Sequence, residues 1–321
     1  MNATTRYAVA VGDPRYMELL FGPKLERLDS AGGDLVGPAL EEFDSPHARA
    51  ALANVDVLLT GWGTPALTDE VLAGAPGLRA VIHAGGIAST LVPEAWRERL
   101  SFSVSALDNS RPVAEYTLAM ILLAGKRSFA AERMYRSSRA YVDRNVEFAQ
   151  AGNRDRTVGI LAASRIGRMV IELLHPFDWR VLVHDPALSA LEAKKLAVTP
   201  VGLDELFETS EVVSIHAPLL PSTRGLVGAR QLALLPDGAT LINTARGEIV
   251  DQDALIVELR SGRIEAVLDV TEPDPLPPDS PLWELPGVTL TPHIAGSMGR
   301  EIGALGAHVV AELARYSRGE A

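Results

Sequence analysis

The chain has 321 residues, of which 47% are apolar, enough for substantial cores and about two domains by length. A formal net charge of −11, with no basic stripe or dense Lys/Arg run, argues against a nucleic-acid surface. The absence of cysteine excludes disulfides, thiolate metal sites and a cysteine nucleophile together.

The start, Met1-Asn2-Ala3-Thr4-Thr5-Arg6, runs into a strand-like segment without a signal-type apolar core, which predicts a cytoplasmic protein. Over the first hundred residues, strand candidates Tyr7–Val11, Val55–Thr60, Arg79–His83 and Ser101–Ser105 alternate with helical stretches such as Arg15–Asp29 and Thr68–Ala73. That alternation predicts an α/β domain with a mostly parallel sheet.

From Arg111-Pro112 an apolar helix is expected to run to about Arg127, with Pro112 in its first turn and Asn109 or Ser110 as cap. Its most apolar stretch, Tyr116 to Gly125, is too short to span a bilayer, so no membrane partner is expected. Apolar on nearly every face, the helix should lie between domains or at a subunit interface. A polar stretch, Ser137–Arg156, leads to a sharp strand-turn-helix signal over Arg156–Arg168, with the helix continuing to about Leu174. Strands follow at Trp179–His184, Val212–Ile215, Thr240–Asn243, Glu265–Leu268 and Val288–Thr291, with helices between them such as Gln252–Ser261. Pro273–Pro281 reads as a loop, and Met298–Arg318 as a helix returning to the first domain.

The turn after Leu161 is a candidate nucleotide site. A dinucleotide fingerprint places G-x-G-x-x-G between strand and helix, with an acid roughly 20 residues on. Here it reads Ala162-Ala163-Ser164-Arg165-Ile166-Gly167, with Asp185 ending the next strand. Only the third glycine survives, the one that permits close helix–strand packing. Ala162 and Ser164 are the least obstructive replacements, and the Ser164 hydroxyl can donate to a phosphate. An ordinary βαβ turn with an empty helix end competes with this reading. Asp185 can accept from both ribose hydroxyls and repel a 2′-phosphate, and Pro186 and Ala187 bring no cation, which favours NAD over NADP. A turn-capping aspartate before proline is its plain alternative.

Three polar residues each follow a strand: Arg246, Asp274 and His293. Taken singly they read as a solvated charge, a turn former and a structural hydrogen bonder. In an open parallel sheet, however, ligands sit outside the carboxyl ends of the strands. A cation, a carboxylate and an imidazole delivered there can bind an acid, polarise a carbonyl and move a proton. No cluster has metal-ligand spacing, so no metal is expected.

The segments Pro112-Val113-Ala114-Glu115, Thr157-Val158-Gly159-Ile160, Val213-Ser214-Ile215-His216-Ala217-Pro218-Leu219 and Leu241-Ile242-Asn243-Thr244-Ala245-Arg246-Gly247 carry a resemblance, together with Leu268-Asp269-Val270 and Thr291-Pro292-His293-Ile294-Ala295-Gly296. Over nearly its whole length the chain resembles the D-isomer-specific 2-hydroxyacid dehydrogenase family. The resemblance implies two Rossmann/flavodoxin-like doubly wound parallel-sheet domains with the active site in the interdomain cleft. A substrate domain of residues 1–108, completed by 297–321, would accept an inserted NAD-binding domain of residues 109–296. Such enzymes are commonly homodimers.

By the same resemblance, Arg246 binds the substrate carboxylate and carbonyl, and His293 is the acid/base for the hydroxyl proton. Asp274 stands where the family has a glutamate bonded to that histidine; one methylene shorter, it must sit closer or use a water. Cofactor contacts are implied for Ala162, Ser164, Arg165, Ile166, Asp185, His216, Ala217, Pro218, Thr244, Ala245, His293 and Asp269, the last near the nicotinamide carboxamide. Substrate contacts are implied for Arg246, Asn109 and the amide-bearing loop Gly85-Gly86-Ile87, where Ile87 replaces a usual glycine. Trp62 can wall the pocket or pack on the surface.

These readings combine into an NAD(H)-dependent oxidoreductase interconverting a D-2-hydroxy acid and a 2-keto acid. Two rivals stay open: a catalytically weak NAD-binding sensor, corepressor-like, on the same scaffold, which the lost glycines favour; and an S-adenosylmethionine-dependent methyltransferase, which leaves Arg246 and His293 unexplained.

Overall fold

The computed structural model describes residues 4–86 and 91–320. Ile87 therefore lies outside the described residues. The chain divides into two compact units, Met1–Ser110 with Ser297–Ala321, and Arg111–Gly296.

The first unit is a parallel sheet of β1 (Arg6–Ala10), β2 (Asp34–Leu35), β3 (Val57–Gly61), β4 (Ala80–Ala84) and β5 (Ser101–Val104), in the order β2-β1-β3-β4-β5. Its helices are α1 (Pro14–Phe21), α2 (Pro46–Leu52), α3 (Asp69–Ala73), α4 (Glu94–Arg97), the start of α5 (Ala106–Gly125) and a C-terminal helix, Ile302–Ser317. Successive side chains alternate between the faces. Val9, Leu59 and Ile82 pack with Leu20 and Phe21 of α1 and with Leu305, Val309 and Leu313 of the C-terminal helix. Ala8, Leu58 and Val81 pack instead against Leu52 of α2 and Leu72 of α3. Burial on both faces explains why these strands are near-continuous apolar runs.

The second unit has α6 (Ser128–Ser138), α7 (Arg144–Glu147), β6 (Arg156–Leu161), α8 (Arg165–Leu174), β7 (Trp179–His184), α9 (Ala190–Lys195), β8 (Thr199–Pro200) and α10 (Leu203–Thr209). Then come β9 (Val212–Ile215), α11 (Ala229–Leu234), β10 (Thr240–Asn243), α12 (Gln252–Arg260), β11 (Glu265–Leu268) and β12 (Val288–Leu290). The all-parallel order is β12-β11-β10-β9-β6-β7-β8. The chain runs outward from β6 to β8, then returns to β9 on the other side of β6. Such a reversal opens a crevice at the carboxyl ends of the two strands where it occurs, and the fingerprint turn leaves β6 there.

Several expectations are corrected. Arg15–Asp29 is not one helix: Gly22, at φ 78, ends α1, and Pro23–Ser30 forms a 3-10 turn with Lys24 and Leu25 also at positive φ. A left-handed glycine followed by proline stops the helix. The linking helix starts at Ala106, so Pro112 lies in its interior and neither Asn109 nor Ser110 is a cap. The Ser110 hydroxyl donates back to Ala106 O at 2.5 Å, and Asn109 Oδ1 accepts from Ser297 N at 2.9 Å. The polar stretch 137–156 contains α7, and the expected helix ends at Gly125, where Arg127 at φ 53 breaks α6 from α5.

Candidate active site

At the end of β6, Ala162 adopts φ 77, the left-handed conformation that glycine takes without steric cost. Ala163 N donates to Asp185 Oδ2 at 2.9 Å, which ties the turn to the end of β7. Ser164 is the N-cap of α8, its Oγ accepting from Gly167 N at 3.3 Å. The hydroxyl hydrogen remains free to donate, since a serine oxygen accepts and donates at once. Gly167 is required: a Cβ there would lie 2.2 Å from Ala162 O and 3.3 Å from His216 Cβ. Arg165 is exposed and Ile166 half-buried at the start of α8.

Asp185 differs from the simple expectation of an open ribose-binding carboxylate. Besides Ala163 N, it accepts Ala187 N on Oδ1 at 2.8 Å, so both oxygens already serve the backbone, each with a lone pair to spare. His216 is buried beneath the turn, bonded through Nε2 to Ser214 Oγ at 2.9 Å, and burial pushes its pKa down to about 3. Burial thus favours its neutral form. Ala217 is buried beside it and Pro218 exposed. The ten-residue α8, the side-chain-free Gly167 and the carboxylate on the adjoining strand fit a dinucleotide. Ala162 is the one misfit.

On the other side of β6, the strand ends carry the polar residues. After β10, Asn243 shapes its own turn: Oδ1 accepts from Ala245 N at 3.0 Å and Nδ2 donates to Arg246 O at 2.9 Å. Thr244 is buried, with Oγ1 3.1 Å from Thr117 Oγ1 on α5. Arg246 is exposed, with Nη1 donating to Ala245 O at 2.6 Å.

After β12, His293 sits at φ 54, and its Nδ1 lies 3.0 Å from Asp274 Oδ2. The shorter carboxylate thus reaches the imidazole directly, with no water needed. Orientation through Nδ1 leaves Nε2 to face a reactant.

Asp269 is 2% exposed, and its bonds are intramolecular. Its Oδ1 accepts from Thr291 Oγ1 at 2.6 Å and Ile294 N at 2.8 Å, and Oδ2 from Ala295 N at 2.8 Å. Its carbonyl accepts from His293 N at 3.1 Å. The carboxylate expected near a nicotinamide is first of all the anchor of the His293 turn.

In the first unit, Trp62 is 40% exposed and stacks on Tyr16 with ring centroids 5.0 Å apart. Tyr16 OH donates to Ala84 O at 3.1 Å, and burial holds that phenol above its usual pKa. A Cβ on Gly85 would meet His83 Nε2 at 2.5 Å and Trp62 Nε1 at 3.3 Å, and one on Gly86 would touch Asn109 Nδ2 at 3.5 Å. Trp62, Gly85, Gly86 and Asn109 therefore gather at the carboxyl end of this sheet. His83, bonded to Thr60 Oγ1 at 3.0 Å, is held neutral by burial, its pKa pushed down to about 4. Sequence reasoning gave no role to the side chains of Tyr16, His83 and Thr291, whose hydrogen bonds to Ala84 O, Thr60 Oγ1 and Asp269 Oδ1 arise only in the tertiary fold. Among the described residues, no group of three or more His, Cys, Asp or Glu is placed to hold a metal ion, and no helix is long and apolar enough to cross a membrane.

The family model for the D-isomer specific 2-hydroxyacid dehydrogenase, NAD binding domain, matches residues 118–295. The chain belongs to that family. Within it, the chain is 35% identical over 261 residues to the glyoxylate reductase of Korarchaeum cryptofilum, covering 80% of this chain and 78% of the relative. It is 33% identical over 256 residues to the D-3-phosphoglycerate dehydrogenase of Mycobacterium leprae, covering 79% of this chain and 48% of that protein. The chain thus spans about half the length of the curated phosphoglycerate dehydrogenases it matches. Among solved structures, the TT0316 protein of Thermus thermophilus superposes with a TM-score of 0.74 at 28% identity, over 96% of this chain and 95% of that one. The matched 178-residue NAD-binding segment holds the fingerprint turn, Arg246, Asp274 and His293.

Proposed function

We propose that this dehydrogenase-family chain interconverts a D-2-hydroxy acid and a 2-keto acid, using NAD(H). The observation that carries the reading is the direct 3.0 Å contact between His293 Nδ1, after β12, and Asp274 Oδ2, after β11, with Arg246 following the neighbouring β10. NADH, when bound, supplies the hydride that adds to C2 of the keto acid. The Arg246 guanidinium holds the planar carboxylate and polarises the carbonyl. Protonated His293 delivers its Nε2 proton to the oxygen that becomes the hydroxyl, and Asp274 fixes the tautomer and stabilises the cation. In the oxidative direction the same Nε2 accepts the hydroxyl proton.

Ala162, Ser164, Arg165, Ile166, Asp185, His216, Ala217, Pro218, Thr244, Ala245 and Asp269 are assigned to the cofactor side, and Asp185 with neutral Pro186 and Ala187 supports NAD over NADP. Trp62, Gly85, Gly86, Ile87 and Asn109 are assigned to substrate recognition, with residues 1–108 and 297–321 as substrate domain and 109–296 as cofactor domain. A cytoplasmic homodimer fits this reading: α6 buries none of its side chains, and Tyr135, Tyr141 and Val146 expose large apolar surface.

The test is a panel of 2-keto acids with NADH and NADPH in parallel. NADH oxidation by at least one acid is expected, and His293→Ala should abolish it while leaving NADH affinity within about twofold, because the imidazole acts on the transferred proton. NADH binding with no keto acid reduced would overturn the enzymatic reading in favour of a sensor.

A further inference from the structure

Adjacent residues on a helix are turned about 100° apart and do not face one another, so each addresses a different neighbour. On α5, Tyr116 and Thr117 use that divergence to reach two different loops. Tyr116 OH lies 2.9 Å from Thr291 Oγ1, two residues before His293. Thr117 Oγ1 lies 3.1 Å from Thr244 Oγ1, two residues before Arg246. The two loops leave β12 and β10, which flank β11. The longer side chain goes to the outer strand and the shorter one to the inner strand.

The donor sequence at the first anchor follows from chemistry. A carboxylate only accepts, so the Thr291 hydroxyl donates to Asp269 Oδ1 at 2.6 Å. Tyr116 must then donate to Thr291 Oγ1. Burial is the main cause that raises the Tyr116 phenol above its ordinary pKa, so it stays a donor across the working range. The same Asp269 oxygen accepts from Ile294 N at 2.8 Å, and Oδ2 takes Ala295 N at 2.8 Å. The chain Tyr116–Thr291–Asp269 thereby ends on the backbone that holds His293 in a left-handed conformation at φ 54, which is unfavourable for a non-glycine residue and persists only where its surroundings enforce it. At the second anchor, the Asn243 side chain closes the Arg246 turn on itself. Thr117 is fully buried and supplies a side-chain tie from outside that turn.

We propose that Tyr116 and Thr117 are positioning residues, Tyr116 for the acid/base loop and Thr117 for the arginine loop, set side by side on α5. The proposal rests on the roles given above to His293 and Arg246. A hydroxyl that merely satisfies a buried partner would affect stability alone, whereas two positioning residues must separate in their effects.

Tyr116→Phe, Thr117→Val and His293→Asn are compared with the wild type by steady-state kinetics on the fastest keto acid of the panel, and by hydrogen exchange without substrate. Loss of one positioning hydrogen bond corresponds to roughly a fivefold to tenfold effect. Tyr116→Phe should lower kcat by about that factor with KM little changed, and speed exchange at Ile294 and Ala295 but not across 244–247. Thr117→Val should raise KM by a similar factor with kcat little changed, and speed exchange across 244–247 alone; Thr117→Ser should restore both. Thr291→Val should reproduce Tyr116→Phe, which keeps the first arm decisive if Tyr116→Phe folds poorly. Unchanged exchange and kinetics in both variants, or equal acceleration at both loops, overturns the proposal. A wild-type rate in His293→Asn instead overturns the catalytic reading, and the exchange data then still decide the anchoring.

Discussion

Asp269→Asn is the substitution in which the site's architecture can be weighed most directly, because it changes one atom and almost no volume. In the wild type one oxygen accepts from Thr291 Oγ1 and Ile294 N, and the other from Ala295 N at 2.8 Å, all in a residue 2% exposed. An asparagine that keeps its oxygen toward Thr291 and Ile294 turns its NH2 toward the Ala295 N–H. One hydrogen bond to a charged acceptor is lost, about 1.5–3 kcal/mol, and a buried amide is left without a partner, about 1–3 kcal/mol. The opposite rotamer is worse, since two donors then face the NH2. The expected destabilisation is about 3 kcal/mol, counting only part of each contribution because the loop can relax toward water. Urea unfolding reads it as the midpoint shift multiplied by the m-value, provided m is unchanged. The His293 turn should also exchange its Ile294 and Ala295 amides faster. A loss under about 1 kcal/mol, with exchange unchanged, would refute the claim that this carboxylate holds the turn.

Gly167→Ala drives a Cβ to 2.2 Å from a backbone oxygen, so α8 must move off β6; roughly 1–3 kcal/mol of stability and at least a tenfold loss in NADH affinity are expected, measured by urea midpoint and fluorescence titration. Wild-type affinity in that variant would refute the close-packing role. Acid should weaken both units. Burial lowers the folded-state pKa of His83 to about 4 and of His216 to about 3, below the ordinary value of 6.5. Below 6.5 the unfolded chain takes up protons that the folded chain refuses, so this contribution is full above 6.5 and falls by up to about 1.4 kcal/mol per pH unit for each histidine as pH drops toward the folded values. Urea midpoints that stay level between about pH 7.5 and 5.5 would contradict it.

Much of the second unit was legible because its strands are buried on both faces. Trp179–His184, Val212–Ile215, Thr240–Asn243 and Glu265–Leu268 stand where their apolar runs place them. The two-residue edge strands Asp34–Leu35 and Thr199–Pro200 were not, since they are exposed and carry no such run. Pro112 misled because a proline in the first turn and one inside a helix look alike until the upstream residues are seen to be helical too. At the site, residue types and order were readable, but hydrogen-bond partners were not. Asp185 and Asp269 were read as ligand groups, and both spend their oxygens on backbone amides brought close only by the tertiary fold. Tyr116 and Thr117 carried no signal in an apolar helical stretch.

The first unit is built from two pieces of chain separated by the whole of the second. Its sheet face of Val9, Leu59 and Ile82 is covered in part by Leu305, Val309 and Leu313, and Gly306 lets the C-terminal helix come so close to α1 that a Cβ there would overlap Leu20 O. During synthesis the part of that face not covered by α1 lacks its partner until residues 302–313 leave the ribosome, after the contiguous second unit has been made in full. The order of folding is thus written into the connectivity: the nucleotide-binding unit can mature first, while the unit translated first waits, with an apolar sheet in need of shelter.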